Sequence, residues 1–155
     1  MDGNDFFMQT SPRPARLLVV EDDRRAARFL EFVLKKEGYQ VTLARDGEQA
    51  LSIMESAKPD AMLLDLVLPG ISGLDVLREL RASERNGDLV VLVLTARSFE
   101  ETPEEIIMAG ADSHCTKPIV PSTLLSKLVD FGVPPRIVQA AGGRRAEWRQ
   151  HVLAI

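Results

Sequence analysis

Three short apolar runs and one short mixed segment in this chain each end in a side chain suited to phosphate or metal chemistry. Glu21 and Asp22 follow Leu17-Leu18-Val19-Val20, and Asp65 follows Met62-Leu63-Leu64. Thr95 follows Val90-Val91-Leu92-Val93-Leu94, and Lys117 follows His114-Cys115-Thr116 and precedes Pro118. Short unbroken apolar runs are the signature of strands covered on both faces. Open α/β sheets bind ligands at the carboxyl ends of such strands. The spacing therefore predicts that three acids, a hydroxyl and an ammonium converge on one spot.

Helical patterns fill the gaps between the runs. Ala27, Leu30, Val33 and Leu34 recur at helical spacing within 24–37, and Gly38 stops that helix. Gln40 to Ala44 reads as a further strand. Asp46 with Gln49 opens the next helix as a capping box, and Pro59-Asp60 breaks the chain before the strand at 61–64. The helix after the Pro/Gly loop at 66–73 turns Leu74, Leu77 and Leu80 inward and Arg78, Glu79 and Arg81 outward. Thr102-Pro103-Glu104-Glu105 starts a short fourth helix that Gly110 ends. Ala111 to Thr116 is the fifth strand, and Leu124, Leu125, Leu128 and Val129 mark the apolar face of the fifth helix.

Five β-α units require crossover connections, which are right-handed in parallel sheets. The expected fold is α/β: a doubly wound, five-stranded parallel sheet of order 2-1-3-4-5, the flavodoxin-like arrangement. Its switch point lies between the first and third strands, where Glu21-Asp22 and Asp65 sit. The expected organisation is an N-terminal tail at 1–15, one domain at 16–132, and a C-terminal tail or linker stub at 133–155. Phe6, Phe7 and Met8 form a small apolar patch in the first tail. Arg136, Arg144, Arg145 and Arg149 against Glu147 make the second basic, with a short helix expected around Ala146 to Leu153.

Composition bounds the function. A net charge of −4 offers no basic face for direct nucleic-acid binding. Cys115 is the single cysteine, so no intrachain disulfide exists. No apolar run is long enough to span a bilayer, and acids occupy the start where a secretory signal needs cations. A cytoplasmic protein without membrane attachment is expected.

Clustered carboxylates repel unless a cation or protons neutralise them. Magnesium takes oxygen ligands, and phosphate often completes its shell. A carboxylate beside such a metal can act as a nucleophile and form an aspartyl phosphate. Asp65 is the best placed, being alone at its strand end before an open Pro/Gly loop.

The ordered set Val19-Val20-Glu21-Asp22-Asp23, Leu64-Asp65-Leu66-Val67-Leu68-Pro69-Gly70-Ile71-Ser72-Gly73, Leu94-Thr95-Ala96 and Gly110-Ala111-Asp112 through Thr116-Lys117-Pro118 resembles the receiver domain of two-component response regulators. The resemblance covers about Arg16 to Phe131. It implies Asp65 as phospho-acceptor and Mg2+ held by Glu21, Asp22, Asp65 and the Val67 carbonyl. It implies phosphoryl contacts from Thr95, the Ala96 amide and Lys117, and a cis peptide before Pro118. Thr95 and His114 would form the switch. The implied donor is a histidine kinase or histidine phosphotransfer protein, and the output is a downstream protein partner, with a homodimer possible. On this reading the chain is not an enzyme, catalysing only its own phosphorylation and dephosphorylation, and carries no output domain. Asp23 is expected to cap the first helix.

Three features depart from the family pattern. His114 stands where the family usually has Tyr or Phe; it either packs as a flat ring or couples the switch to protonation. Val67 cannot hydrogen-bond an attacking water, which implies slow loss of phosphate. Arg97 reads as a solvated charge or a shield for the site. Another expectation is the receiver part of a longer regulator. A magnesium-dependent phosphatase with an Asp nucleophile fits less well, since such enzymes carry a second Asp two residues on, where Val67 stands.

Overall fold

The computed structural model describes residues 12–96 and 101–137. Expectations on Phe6, Phe7, Met8, Arg97, the helix around Ala146 to Leu153 and the arginines beyond Ile137 lie outside the described residues. In chain order the elements are β1 (Arg13–Pro14), β2 (Arg16–Val20), α1 (Arg24–Lys36), β3 (Gln40–Ala44), α2 (Gly47–Ser56), β4 (Ala61–Asp65) and α3 (Gly73–Ala82). A 3-10 turn (Glu84–Asn86), β5 (Val90–Thr95), α4 (Pro103–Met108), β6 (Ser113–Thr116), α5 (Pro121–Asp130) and β7 (Arg136–Ile137) follow.

The main sheet is parallel, ordered β3-β2-β4-β5-β6. Counted within that sheet this is 2-1-3-4-5, as the alternation of patterns predicts. Period-two alternation sends each strand's side chains to two cores. Leu18, Val20, Met62, Leu64, Val91 and Val93 face the side covered by α2, α3 and α4. Leu17, Val19, Ala61, Leu63, Leu92 and Leu94 face the side covered by α1 and α5. Both faces are apolar, so the middle strands cannot alternate polar and apolar residues.

Local chemistry sets the helix ends. Asp23 caps α1 by accepting from the Ala26 amide, which holds its carboxyl below the usual range. Gly38 takes φ +105° at the close of α1, a left-handed conformation that L side chains resist. Asp46 accepts from the Gln49 amide, while Gln49 reaches back to the amide of Arg45. Ser72 caps α3, and Thr102 with Glu105 forms the expected box on α4. The fifth strand of the sheet begins two residues later than expected, because the Ala111 amide still closes the end of α4 on Ile106.

Two outward or breaking assignments need correction. Arg81 does not point to solvent. Its guanidinium donates to the carbonyls of Gly110, Asn86 and Leu89 at 2.9, 2.7 and 2.7 Å and meets Asp112 at 3.2 Å. It lies at the carboxyl end of α3, where its stem crosses the seam to α4 and its head finds acceptors. Asp60 is a buried anchor rather than a simple break. It accepts two hydrogen bonds from Arg13 at 2.9 and 2.8 Å and one from the Arg16 amide at 2.8 Å.

The packing also reaches past both expected edges of the domain. Arg13–Pro14 pairs antiparallel with Arg136–Ile137. Val133 is buried, and its carbonyl accepts from the Tyr39 hydroxyl at 2.6 Å.

Candidate functional site

Strand register assembles the site. Val20 lies beside Leu64, and Asp65 beside Leu94. Thr95 lies beside Thr116. The residues that terminate these strands therefore emerge together at the carboxyl edge of the sheet.

One carboxylate oxygen from each of Glu21, Asp22 and Asp65 falls within 4.8 Å of the others. Glu21 is 3% exposed and Asp65 5%, while Asp22 faces solvent. The Lys117 ammonium bridges two of them, 2.8 Å from Asp65 Oδ2 and 3.0 Å from Glu21 Oε2. Asp65 Oδ1 accepts from the Val67 amide at 3.0 Å, and Glu21 Oε1 accepts from the Asp23 amide at 3.3 Å. Burial pushes the Glu21 carboxyl upward; the hydrogen bond from Lys117 opposes the rise and the Asp65 charge adds to it. Burial works against the Lys117 ammonium, but the hydrogen bonds to Asp65 and Glu21 outweigh it and raise its pKa.

The remaining predicted residues take different places. Thr95 is buried at the end of β5, its hydroxyl donating to the Cys115 carbonyl at 3.5 Å. Its carbonyl accepts from the Lys117 amide at 2.6 Å, which locks the lysine's backbone to the neighbouring strand. Ala96 follows directly and is exposed. The Lys117–Pro118 peptide is cis. Val67 is 60% exposed beside Asp65. His114 is half-buried in β6, and among the described residues no hydrogen bond or ion pair links its side chain to the acids. Its carbonyl accepts from Lys127 on α5, which also reaches the Ser113 hydroxyl at 3.2 Å.

Two supporting residues escape a reading of the motifs alone. Glu48, in the first turn of α2, accepts from the Ile71 amide at 3.2 Å and pins the loop after Asp65. Gly73 opens α3 against the end of β4: a Cβ there would stand 2.3 Å from the Asp65 carbonyl oxygen and 2.6 Å from Leu66 Cα. The glycine was visible within the loop motif, but its role depends on a backbone approach that only coordinates reveal.

An acidic pocket at the switch point of a 2-1-3-4-5 sheet, bridged by a lysine ahead of a cis-proline, matches one family. The family model for the response regulator receiver domain covers residues 17–129. The chain belongs to the response regulator receiver domain family. This receiver is 42% identical over 115 residues to the response regulator MprA of Mycolicibacterium vanbaalenii, an overlap of 74% of this chain and 49% of the relative. It thus spans about half the length of the curated relatives it matches. A response regulator of Chloroflexus aurantiacus J-10-fl superposes with TM-score 0.72 at 35% identity, covering 75% of this chain and 95% of that one. The receiver domain of sensor histidine kinase PA1611 from Pseudomonas aeruginosa PAO1 gives TM-score 0.69 at 33% identity, with the same coverage. That protein was solved with a magnesium ion coordinated in its active-site cleft.

Proposed function

We propose that this receiver accepts a phosphoryl group on Asp65 from a phosphohistidine of a histidine kinase or phosphotransfer protein, and so acts as a signalling switch. The observation that carries the reading is the position of the Asp65 carboxylate. It ends the middle strand beside two further acids and lies 2.8 Å from Lys117.

The donor set fits a hard divalent cation: oxygen ligands alone, two of them buried, with one exposed acid leaving an open side. Glu21, Asp22, Asp65 and the Val67 carbonyl would hold Mg2+. When bound, it would supply charge neutralisation for a phosphoryl group entering an acidic pocket.

In the transfer an Asp65 carboxylate oxygen forms a P–O bond as the P–N bond to the donor imidazole breaks. The bonding pair returns to the imidazole nitrogen. Lys117 holds the acceptor carboxylate in place and, after transfer, faces a phosphoryl group of roughly −1.5 to −2 where the carboxylate carried −1. Thr95 and the Ala96 amide then bind phosphoryl oxygens. Thr95 exchanges its long bond to the Cys115 carbonyl for a charge-assisted one. Drawing Thr95 toward the site lets His114 rotate inward and alters the surface of α4, β6 and α5, a population shift driven by local charge. A downstream protein would read that surface.

A second reading concerns extent. The overlap with about half of each MprA relative favours a receiver that works within a longer regulator, with output through a further domain. Val67 at the position of a phosphatase's general acid weighs against ester hydrolysis.

Incubation with acetyl phosphate and Mg2+, followed by intact mass spectrometry, tests the acceptor. We expect one added phosphoryl group on the parent and none on Asp65→Ala. Equal labelling of both proteins would refute Asp65.

A further inference from the structure

We propose that the groove between α3 and α4 is the docking site of this chain's own C-terminal segment, Arg144 to Ile155. The groove has a volume of about 680 Å³ and is lined by Leu74, Arg78, Glu101, Glu104, Glu105 and Met108. Leu74, Met108 and Ala109 give it apolar lining, and the three glutamates give it acidic lining. Met108, one of these lining residues, is 87% exposed. Counting the lining side chains, three glutamates against one arginine give −3 + 1 = −2. Arg78 is itself engaged with Asp75 at 3.2 Å, which softens the one opposing charge.

The segment beyond Ile137 has the complementary character. Arg144, Arg145 and Arg149 against Glu147 give +3 − 1 = +2. Trp148, Val152 and Ile155 recur at the spacing of one helical face. Ten residues separate Ile137 from Trp148 and extend to about 33–36 Å. A domain of about 125 residues has a radius of gyration near 14 Å, so the segment can cross to the far face of the sheet.

Charge selects this groove over the exposed phenylalanines of α1. Phe29 and Phe32 on α1 are 48% and 67% exposed, but exposed Arg25, Arg28 and Lys36 surround them. An arginine-rich segment is repelled there and attracted between α3 and α4. Exposed ion pairs are individually weak and salt-screened. The apolar side chains therefore supply the burial, and the charges supply the choice of site. The proposal does not depend on phosphoryl chemistry at Asp65.

Trp148 is the only tryptophan, so its fluorescence in the full chain reads the docking directly. The expected emission is blue-shifted relative to solvent-exposed indole and protected from acrylamide. Met108→Ser, or Glu101→Lys with Glu104→Lys, shifts it to the red and raises quenching several-fold while circular dichroism stays unchanged. Adding Arg145→Glu and Arg149→Glu to the double lysine variant restores the parent emission. Solvent-like emission in the parent, or emission indifferent to all these variants, overturns the proposal. Emission that changes with protein concentration overturns it too, by assigning the groove to a second copy's segment.

Discussion

Single residues at the pocket divide the work between chemistry and support. In the proposed transfer Asp65 accepts the phosphoryl group and Lys117 holds it, and how long the acyl phosphate persists depends on what stands beside them. Val67 is exposed at the mouth and offers no polar atom beyond its backbone to orient a water. Val67→Asn is expected to shorten the lifetime of the acyl phosphate several-fold, followed as loss of the phosphorylated mass with time. An unchanged decay would show that Val67 does not set the lifetime. Gly73 supports the same aspartate from behind. Gly73→Ala forces a methyl onto the Asp65 and Leu66 backbone, which must shift. A loss of about 1–3 kcal/mol in denaturant unfolding is expected, as for overpacking elsewhere. A variant as stable as the parent would show that the α3 start moves freely.

Helices and strands show which features a sequence can reveal. The strand-end residues Glu21, Asp65, Thr95 and Lys117 were legible because topology, not detailed packing, brings the carboxyl ends of parallel strands together. Capping at Asp23 and Thr102 was legible because it is local. Arg81 was misread, since helical periodicity marks it as outward while its length lets it return to carbonyls on other segments. Asp60 was read only as a chain break, because its partner Arg13 lies 47 residues away and no local pattern links them. The ribbon of β1 and β7 has two residues per strand, too short for any period. The Arg81 hub ties α3, β5 and the α4–β6 turn. Arg81→Ala is expected to cost about 2–3 kcal/mol of stability, since Asp112 and three carbonyls lose a charged donor. Arg81→Lys should recover only part of that, as an ammonium cannot span the same fork. Full rescue by lysine in thermal unfolding would mean that charge alone matters.

Across the whole molecule, the two ends of the described chain close on the edge opposite the pocket. Arg13 grips Asp60, β1 pairs with β7, and Tyr39 donates to the Val133 carbonyl. Burial pushes the Tyr39 phenol well above its ordinary value, with the Glu37 charge adding to the rise. The folded state thus disfavours the phenolate. The stability this gives is fully present below the unfolded phenol pKa of about 10 and declines as pH rises toward the folded value. Tyr39→Phe is expected to lose about 0.5–1.5 kcal/mol near neutral pH through the missing hydrogen bond. It should also lose less stability than the parent between about pH 9 and 11. Parallel pH profiles for the two proteins would contradict this.

The function proposed for this receiver is acceptance of a phosphoryl group at Asp65 with magnesium among the acids. Two-dimensional amide NMR with Mg2+ and beryllofluoride, a stable mimic of the acyl phosphate, tests this most directly. The predicted result is a cluster of shifts at Val67, Ala96 and Lys117 that spreads along β6 through His114 and vanishes in Asp65→Ala. Spectra that stay unchanged on addition, or change equally in Asp65→Ala, would contradict it.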